Sequence, residues 1–166
     1  PIMMQDQKMD EIVLRKLDMP IEEKPEMRSW REFLDKKKNA KETVRIGLVG
    51  KYVELPDAYK SINESLLQAA TYNERKLDPQ FIQSEKLTNE NVDQYLSSMD
   101  GVLIAPGFGQ RGTDGKFAAI KYTRENDIPT FGICFGMQCM VIEFARNVLG
   151  LDEANSTEMN PHTPYK

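Results

Sequence analysis

Gly132-Ile133-Cys134-Phe135-Gly136 is the stretch whose residue types and spacing point most directly to chemistry. A cysteine with glycine two positions away on each side, where an apolar β-type run gives way to a helical pattern, has the form of a nucleophile elbow carrying sulfur instead of oxygen. The chain must reverse sharply there, which forces the nucleophile into a strained backbone conformation. Gly132 and Gly136 remove side chains that would clash in so tight a turn. The turn exposes the sulfur above the sheet and sets it at a helix N-terminus, where the peptide dipoles favour a thiolate. The backbone N–H of Phe135 is then placed to stabilise an oxyanion. The competing reading is a buried structural cysteine beside two packing glycines; the strand–helix junction favours the functional one. Cys139, inside the apolar helix that follows, reads as core.

A second constellation is Pro106-Gly107-Phe108-Gly109-Gln110-Arg111-Gly112. It contains G-x-G-x-x-G between a strand and a helix, the outline of a dinucleotide-binding turn. That fingerprint belongs after the first strand of its unit, and here it follows the third. It also wants an acidic residue at the end of the next strand, where this chain has Cys134. The alternative is a mobile loop beside the Cys134 turn, with the Gly107 N–H as a second oxyanion donor and Arg111 as an anion ligand; a flexible surface turn with a solvated arginine is the bland version. Lys51 follows Gly50 at the end of the first strand, but no phosphate-loop pattern precedes it. His162 is the one histidine and sits in the irregular stretch Asn160-Pro161-His162-Thr163-Pro164. With two cysteines and one histidine the chain holds neither a disulfide framework nor a zinc set, and no metal site is expected.

These residues need a scaffold, and the pattern from Val44 onward supplies one. Strands are expected at Val44–Val49, Gln80–Gln83, Gly101–Ala105 and Thr130–Ile133. Helices are expected at about Asp57–Asn73 (Tyr59, Ile62, Leu66 and Ala69 inward), Thr88–Met99 (Val92, Leu96 and Met99 inward), after the glycine-rich loop (Phe117, Ile120), and Met137–Leu149, with Met137, Met140, Val141, Phe144 and Val148 facing in. Strand–helix repeated four times means an α/β fold with a doubly wound, mostly parallel open sheet. Ligands of such sheets bind beyond the carboxyl ends of the strands, the ends that carry Lys51, Gly107 and Cys134. Residues 1–43 differ: they contain no glycine and balance their charges, so the net −4 of the chain resides in residues 44–166. Asp10–Leu17 reads as a short amphipathic helix, and Pro25 as the start of a second carrying Met27, Trp30, Phe33 and Leu34, closed by Lys36-Lys37-Lys38. Too few apolar residues stand here for a separate core, so the segment reads as a helical linker that packs on something else.

The composition, 40% hydrophobic and 29% charged over 166 residues, is that of a soluble globular chain. The acidic balance argues against nucleic acid held by net charge. No apolar run approaches a bilayer span, no signal peptide is expected from the first residues, and the cysteine usage fits a reducing cytoplasm.

With these residues in view, nearly the whole chain resembles the glutaminase domain of the CTP synthase family, a class I glutamine amidotransferase of the triad type. The resemblance lies in Gly47-Leu48-Val49-Gly50-Lys51-Tyr52-Val53-Glu54-Leu55-Pro56-Asp57-Ala58-Tyr59-Lys60-Ser61, in Phe108–Gly112 with Gly115-Lys116, in Gly132–Gln138, in Glu143–Val148 and in Ser156-Thr157-Glu158. It implies a flavodoxin-like fold, incomplete at its C-terminal end. Residues 1–43 would be the connector from a synthetase domain, and 44–166 the N-terminal part of the amidotransferase domain. It implies that Cys134 attacks L-glutamine, with Gly107 and Phe135 N–H groups holding the oxyanion. Gly107, Phe135, Gly136, Met137, Gln138 and Glu158 would contact the substrate, Glu158 at its α-ammonium. Phe108 and Arg111 would lie near an activating GTP. Ammonia would pass to the synthetase domain, which uses ATP and magnesium to aminate UTP; this stretch itself would need no cofactor. A homotetramer is implied for the full-length protein.

Two departures from the family pattern stand out. Ala105-Pro106-Gly107 replaces the commoner Pro-Gly-Gly, which keeps the Gly107 donor but stiffens the turn at Pro106. The family's Pro-x-His-Pro-Glu motif, carrying the triad His and Glu, and a substrate-binding arginine are expected downstream of Lys166. His162 is not assigned to the triad, and the 166 residues alone are expected to hydrolyse glutamine negligibly. The rival readings are a non-catalytic nucleotide- or domain-binding module and another class I amidotransferase or hydrolase using Cys134.

Overall fold

A computed structural model describes residues 1–21, 25–55 and 57–166, so Pro56 of the first-strand motif lies outside the described residues. The sheet consists of β1 (Glu42–Gly50), β2 (Arg75–Gln83), β3 (Gly101–Ile104) and β4 (Thr130–Gly132), in the order β2-β1-β3-β4 with every pairing parallel. The centre is apolar on both faces, as a helix-covered parallel sheet requires. Along β1, Leu48 and Val49 are both fully buried but serve opposite sides, because alternate residues of a strand face opposite ways. Leu48 packs with Leu103, Ala105 and Tyr59 under helix α4 (Lys60–Tyr72). Val49 joins Val102 and Ile104 in the larger core. That core is closed by α5 (Val92–Leu96), α6 (Thr113–Glu125) and α7 (Phe135–Asn147), through Leu96, Ala119, Ile120, Phe135 and Cys139. The doubly wound α/β expectation holds.

Several boundaries differ from the sequence reading for local reasons. β2 starts at Arg75, not Gln80. It lies at the edge of the sheet, where Pro79 removes no shared hydrogen bond and polar residues meet water, so burial imposes no pattern on it. The helix expected over Thr88–Met99 shrinks to Val92–Leu96. The Asn91 side chain accepts the Thr88 N–H at 2.8 Å and donates to the Lys86 carbonyl at 2.9 Å, holding that approach as a turn.

Helix α7 is the largest correction. It begins at Phe135 and turns Phe135, Cys139, Ile142 and Glu143 inward. Met137, Val141, Phe144 and Val148, expected inside, are exposed, Val141 by 64%. The helix carries two apolar stripes, and periodicity could not choose between them. In α4 it is Ala70, not Ala69, that is buried. Glu143 explains why α7 tolerates an acid in the core: its carboxylate receives the Arg124 guanidinium of α6 in a fork, at 2.8 to 3.2 Å, and the Asn147 amide at 3.0 Å.

The N-terminal segment is helical: α1 (Ile2–Asp6), which the periodicity did not suggest, α2 (Met9–Lys16) and α3 (Arg28–Asn39), which begins three residues after Pro25. None of the three contains a buried residue. Trp30 and Phe33 stack on each other at 5.2 Å, and Lys36 reaches Glu74 at 3.5 Å just after α4.

Candidate active site

Three loops leave the carboxyl ends of β1, β3 and β4 on the same side of the sheet, at the point where strand order reverses between β2-β1 and β1-β3. Helical connections of opposite sense open a crevice at such a point. Cys134 stands two residues past the end of β4 as the N-cap of α7, exposed, with φ 52° and ψ −114°. That backbone lies in the left-handed half of φ space, which costs a non-glycine residue about 1–3 kcal/mol and persists only where neighbours enforce it. The neighbours are identifiable. Ile133 N–H donates to the Ile104 carbonyl at 3.0 Å, tying the turn to β3, and Gly136 N–H donates to the Ile133 carbonyl at 2.8 Å. A Cβ on Gly132 would lie 2.6 Å from the Met137 nitrogen, and one on Gly136 would strike the Ile104 carbonyl oxygen. The glycines are thus required by close backbone approach, while the strain sits on Cys134 itself. Cys139, one turn on, is fully buried, and burial pushes its thiol up to about 11.

The loop after β3 lies against this turn. Gly107 and Gly109 have φ of +120° and +97°, and the Phe108 ring meets the buried Phe135 ring at 5.4 Å. Gly112, also at positive φ, caps α6; a Cβ on Gly112 or Gly115 would run into Ser84 at the end of β2. The G-x-G-x-x-G glycines therefore serve loop shape and packing. Arg111 pairs with Glu85 at 2.8 Å and stacks over Tyr52 at 5.4 Å. On α7, Met137 is exposed, Gln138 N–H donates to the Cys134 carbonyl at 3.2 Å, and the Gln138 Oε1 is buried without a partner. Glu158 is exposed in the irregular stretch after α7, with its N–H directed to Ser156 Oγ. His162 is exposed in the same stretch, its N–H on Asn160 Oδ1 at 3.1 Å.

Two charged residues of this region, both standing in the family-like motifs, have no role that their sequence context assigns. Lys51 and Lys116 are 4% and 0% exposed. Burial lowers both ammonium groups, Lys116 to about 8. A signal for Lys116 existed: it shares a helical face with Thr113, Ala119 and Ile120, where a lysine is out of place. Among the described residues, no group of three or more His, Cys, Asp and Glu side chains can hold a metal, and no helix is long and apolar enough to cross a membrane.

Residues 54–163 match the family model for glutamine amidotransferase class-I. The chain belongs to the class I glutamine amidotransferase family. Its amidotransferase fold is that of a solved structure, the Trypanosoma brucei CTPS glutaminase domain with bound acivicin. The match has a TM-score of 0.68 and 39% identity, and covers 74% of this chain and 48% of that one. Curated relatives named CTP synthase include those of Porphyromonas gingivalis, 60% identical over 166 residues, and Bacteroides fragilis, 59% identical over 165. These matches cover 100% and 99% of this amidotransferase chain, which spans 31% of each relative's length.

Proposed function

We propose that this chain is the glutaminase part of a CTP synthase and that Cys134 is its nucleophile. The observation that carries the reading is the backbone of Cys134, held at φ 52° and ψ −114° above the sheet at the start of α7. A structural cysteine has no use for that strain. The sulfur attacks the carboxamide carbon of L-glutamine, and the carbonyl oxygen takes up the negative charge. The N–H groups of Gly107 and Phe135 receive it. When the tetrahedral species collapses, the C–N bond breaks, the leaving nitrogen carries off the proton that the Cys134 thiol gave up and departs as ammonia, and a glutamyl thioester remains on Cys134. Water then cleaves the thioester to glutamate and restores the thiol. Gly136, Met137, Gln138 and Glu158 contact the substrate; the unpartnered Gln138 oxygen supports a polar ligand there. Phe108 and Arg111, on the adjoining loop, would face GTP as activator.

The wider assignment is supported by the curated relatives named CTP synthase, of whose length this chain matches 31%. A synthetase domain on the same polypeptide would take the ammonia and aminate UTP with ATP and magnesium, in a cytoplasmic homotetramer. Residues 1–43 would be the connector to it, consistent with their exposed apolar side chains Met3, Ile12 and Leu17.

Acivicin, the compound held by the trypanosomal glutaminase domain, is the direct probe. It should add covalently to Cys134 and not to Cys139, and excess L-glutamine should block the addition. The rival, a non-catalytic nucleotide- or domain-binding module, requires Cys134 to react no faster than cysteine in solution and glutamine to protect nothing.

A further inference from the structure

We propose that Lys51 and Lys116 are positioning residues of the glutaminase reaction, two buried braces that hold both oxyanion donors in register. The inference rests on the reading of Gly107 and Phe135 as those donors. Lys116 Nζ donates to the Ala105 carbonyl at 2.6 Å. Lys51 Nζ donates to the Phe108 carbonyl at 2.5 Å and the Gly109 carbonyl at 2.8 Å. The pinned carbonyls thus bracket Pro106 and Gly107. Pro106 has its φ locked by its ring, so most of the freedom left between the anchors belongs to Gly107. Unbraced, a segment with glycine at 107, 109 and 112 would sample many orientations of the Gly107 N–H.

Both ammonium groups also lie over one aromatic ring, that of Phe135, at 5.1 Å for Lys116 and 5.8 Å for Lys51. Phe135 carries the other donor N–H. The same two side chains therefore tie the β3 loop to the first residue of α7. Among the described residues neither lysine forms an ion pair with a carboxylate. An unpaired ammonium is costly to bury, so stability alone does not account for two of them side by side. Oxyanion stabilisation depends on donors fixed before the reaction begins, and fixing them is what this arrangement does.

The test compares two alkylating agents on Cys134 in the 166-residue chain, read by peptide mass. Iodoacetamide reacts by direct displacement and places no charge on an oxyanion. The chloroketone analogue of glutamine presents a carbonyl whose oxygen takes the oxyanion position. Lys116→Met and Lys51→Met should each lower the ratio of chloroketone to iodoacetamide rates by about tenfold or more, and Lys51→Arg, which keeps the charge and donors, should recover most of it. Circular dichroism melts identify folded variants, and either methionine variant suffices. Ratios within about twofold of the parent in a folded methionine variant would overturn the bracing role. If instead the parent chain shows no greater preference for the chloroketone than free cysteine does, the assignment of the oxyanion donors fails, and the bracing role with it.

Discussion

Two cysteines five residues apart meet opposite fates because one caps α7 and the other faces the core. Cys134 is exposed; Cys139 is fully buried and its thiol is pushed up to about 11. At pH 7.5, iodoacetamide should therefore label Cys134 at least about a hundredfold faster than Cys139, read by peptide mapping after brief exposure. Preferential modification of Cys139 would contradict the elbow. Gly136→Ala forces a methyl onto the Ile104 carbonyl and should cost about 1–3 kcal/mol in urea unfolding. Lys116 gives a pH signature. Its folded value, about 8, lies below the ordinary 10.5 of an unfolded lysine. Between those values the unfolded chain binds more protons, so this group's contribution to stability rises with pH across the window and is lost as pH falls back towards 8. Relative to Lys116→Met, the native chain should gain about 3 kcal/mol between pH 7.5 and 10.5, measured as the difference between the two urea-unfolding curves.

At the scale of elements, α7 is the sharpest test, because it offers two apolar stripes and buries one. Ile142→Ala should cost about 2–4 kcal/mol, since it empties a packed core position. Val141→Ala, one residue earlier and 64% exposed, should stay within about 0.5 kcal/mol. The reverse ranking would mean that the helix is turned the other way. The strands were legible where burial is strongest: β3, buried along its whole length, was recognised to within a residue. The edge strand β2 was half missed because its pairing is made by backbone groups, to which sequence patterns are blind. The elbow was legible because Gly-x-Cys-x-Gly is a local backbone requirement. The lysine braces were not, because their meaning lies in which carbonyls they meet.

At the scale of the molecule, stability is unevenly distributed. Helices α1 to α3 bury no residue, whereas β1 and β3 serve cores on both faces of the sheet. Trp30, the sole tryptophan, lies in α3. Its fluorescence should change at lower urea concentration than the circular dichroism of the sheet domain, because weakly buried elements open first. Coincident transitions would show that the N-terminal helices share the stability of the sheet.

The amino-acid sequence alone determined the alternation of strand and helix, the parallel sheet, the strained cysteine turn and the family these imply. Each depends on nearest neighbours along the chain: β-branched runs, helical periodicity, and glycines where a Cβ cannot fit. Tertiary structure decided which stripe of α7 is buried, where β2 begins, why Glu143 sits in the core, and that two lysines distant in sequence grip one loop and one ring. Those outcomes depend on what each side chain finds across the sheet. An ammonium placed inside a protein is tolerable only through partners that folding brings to it.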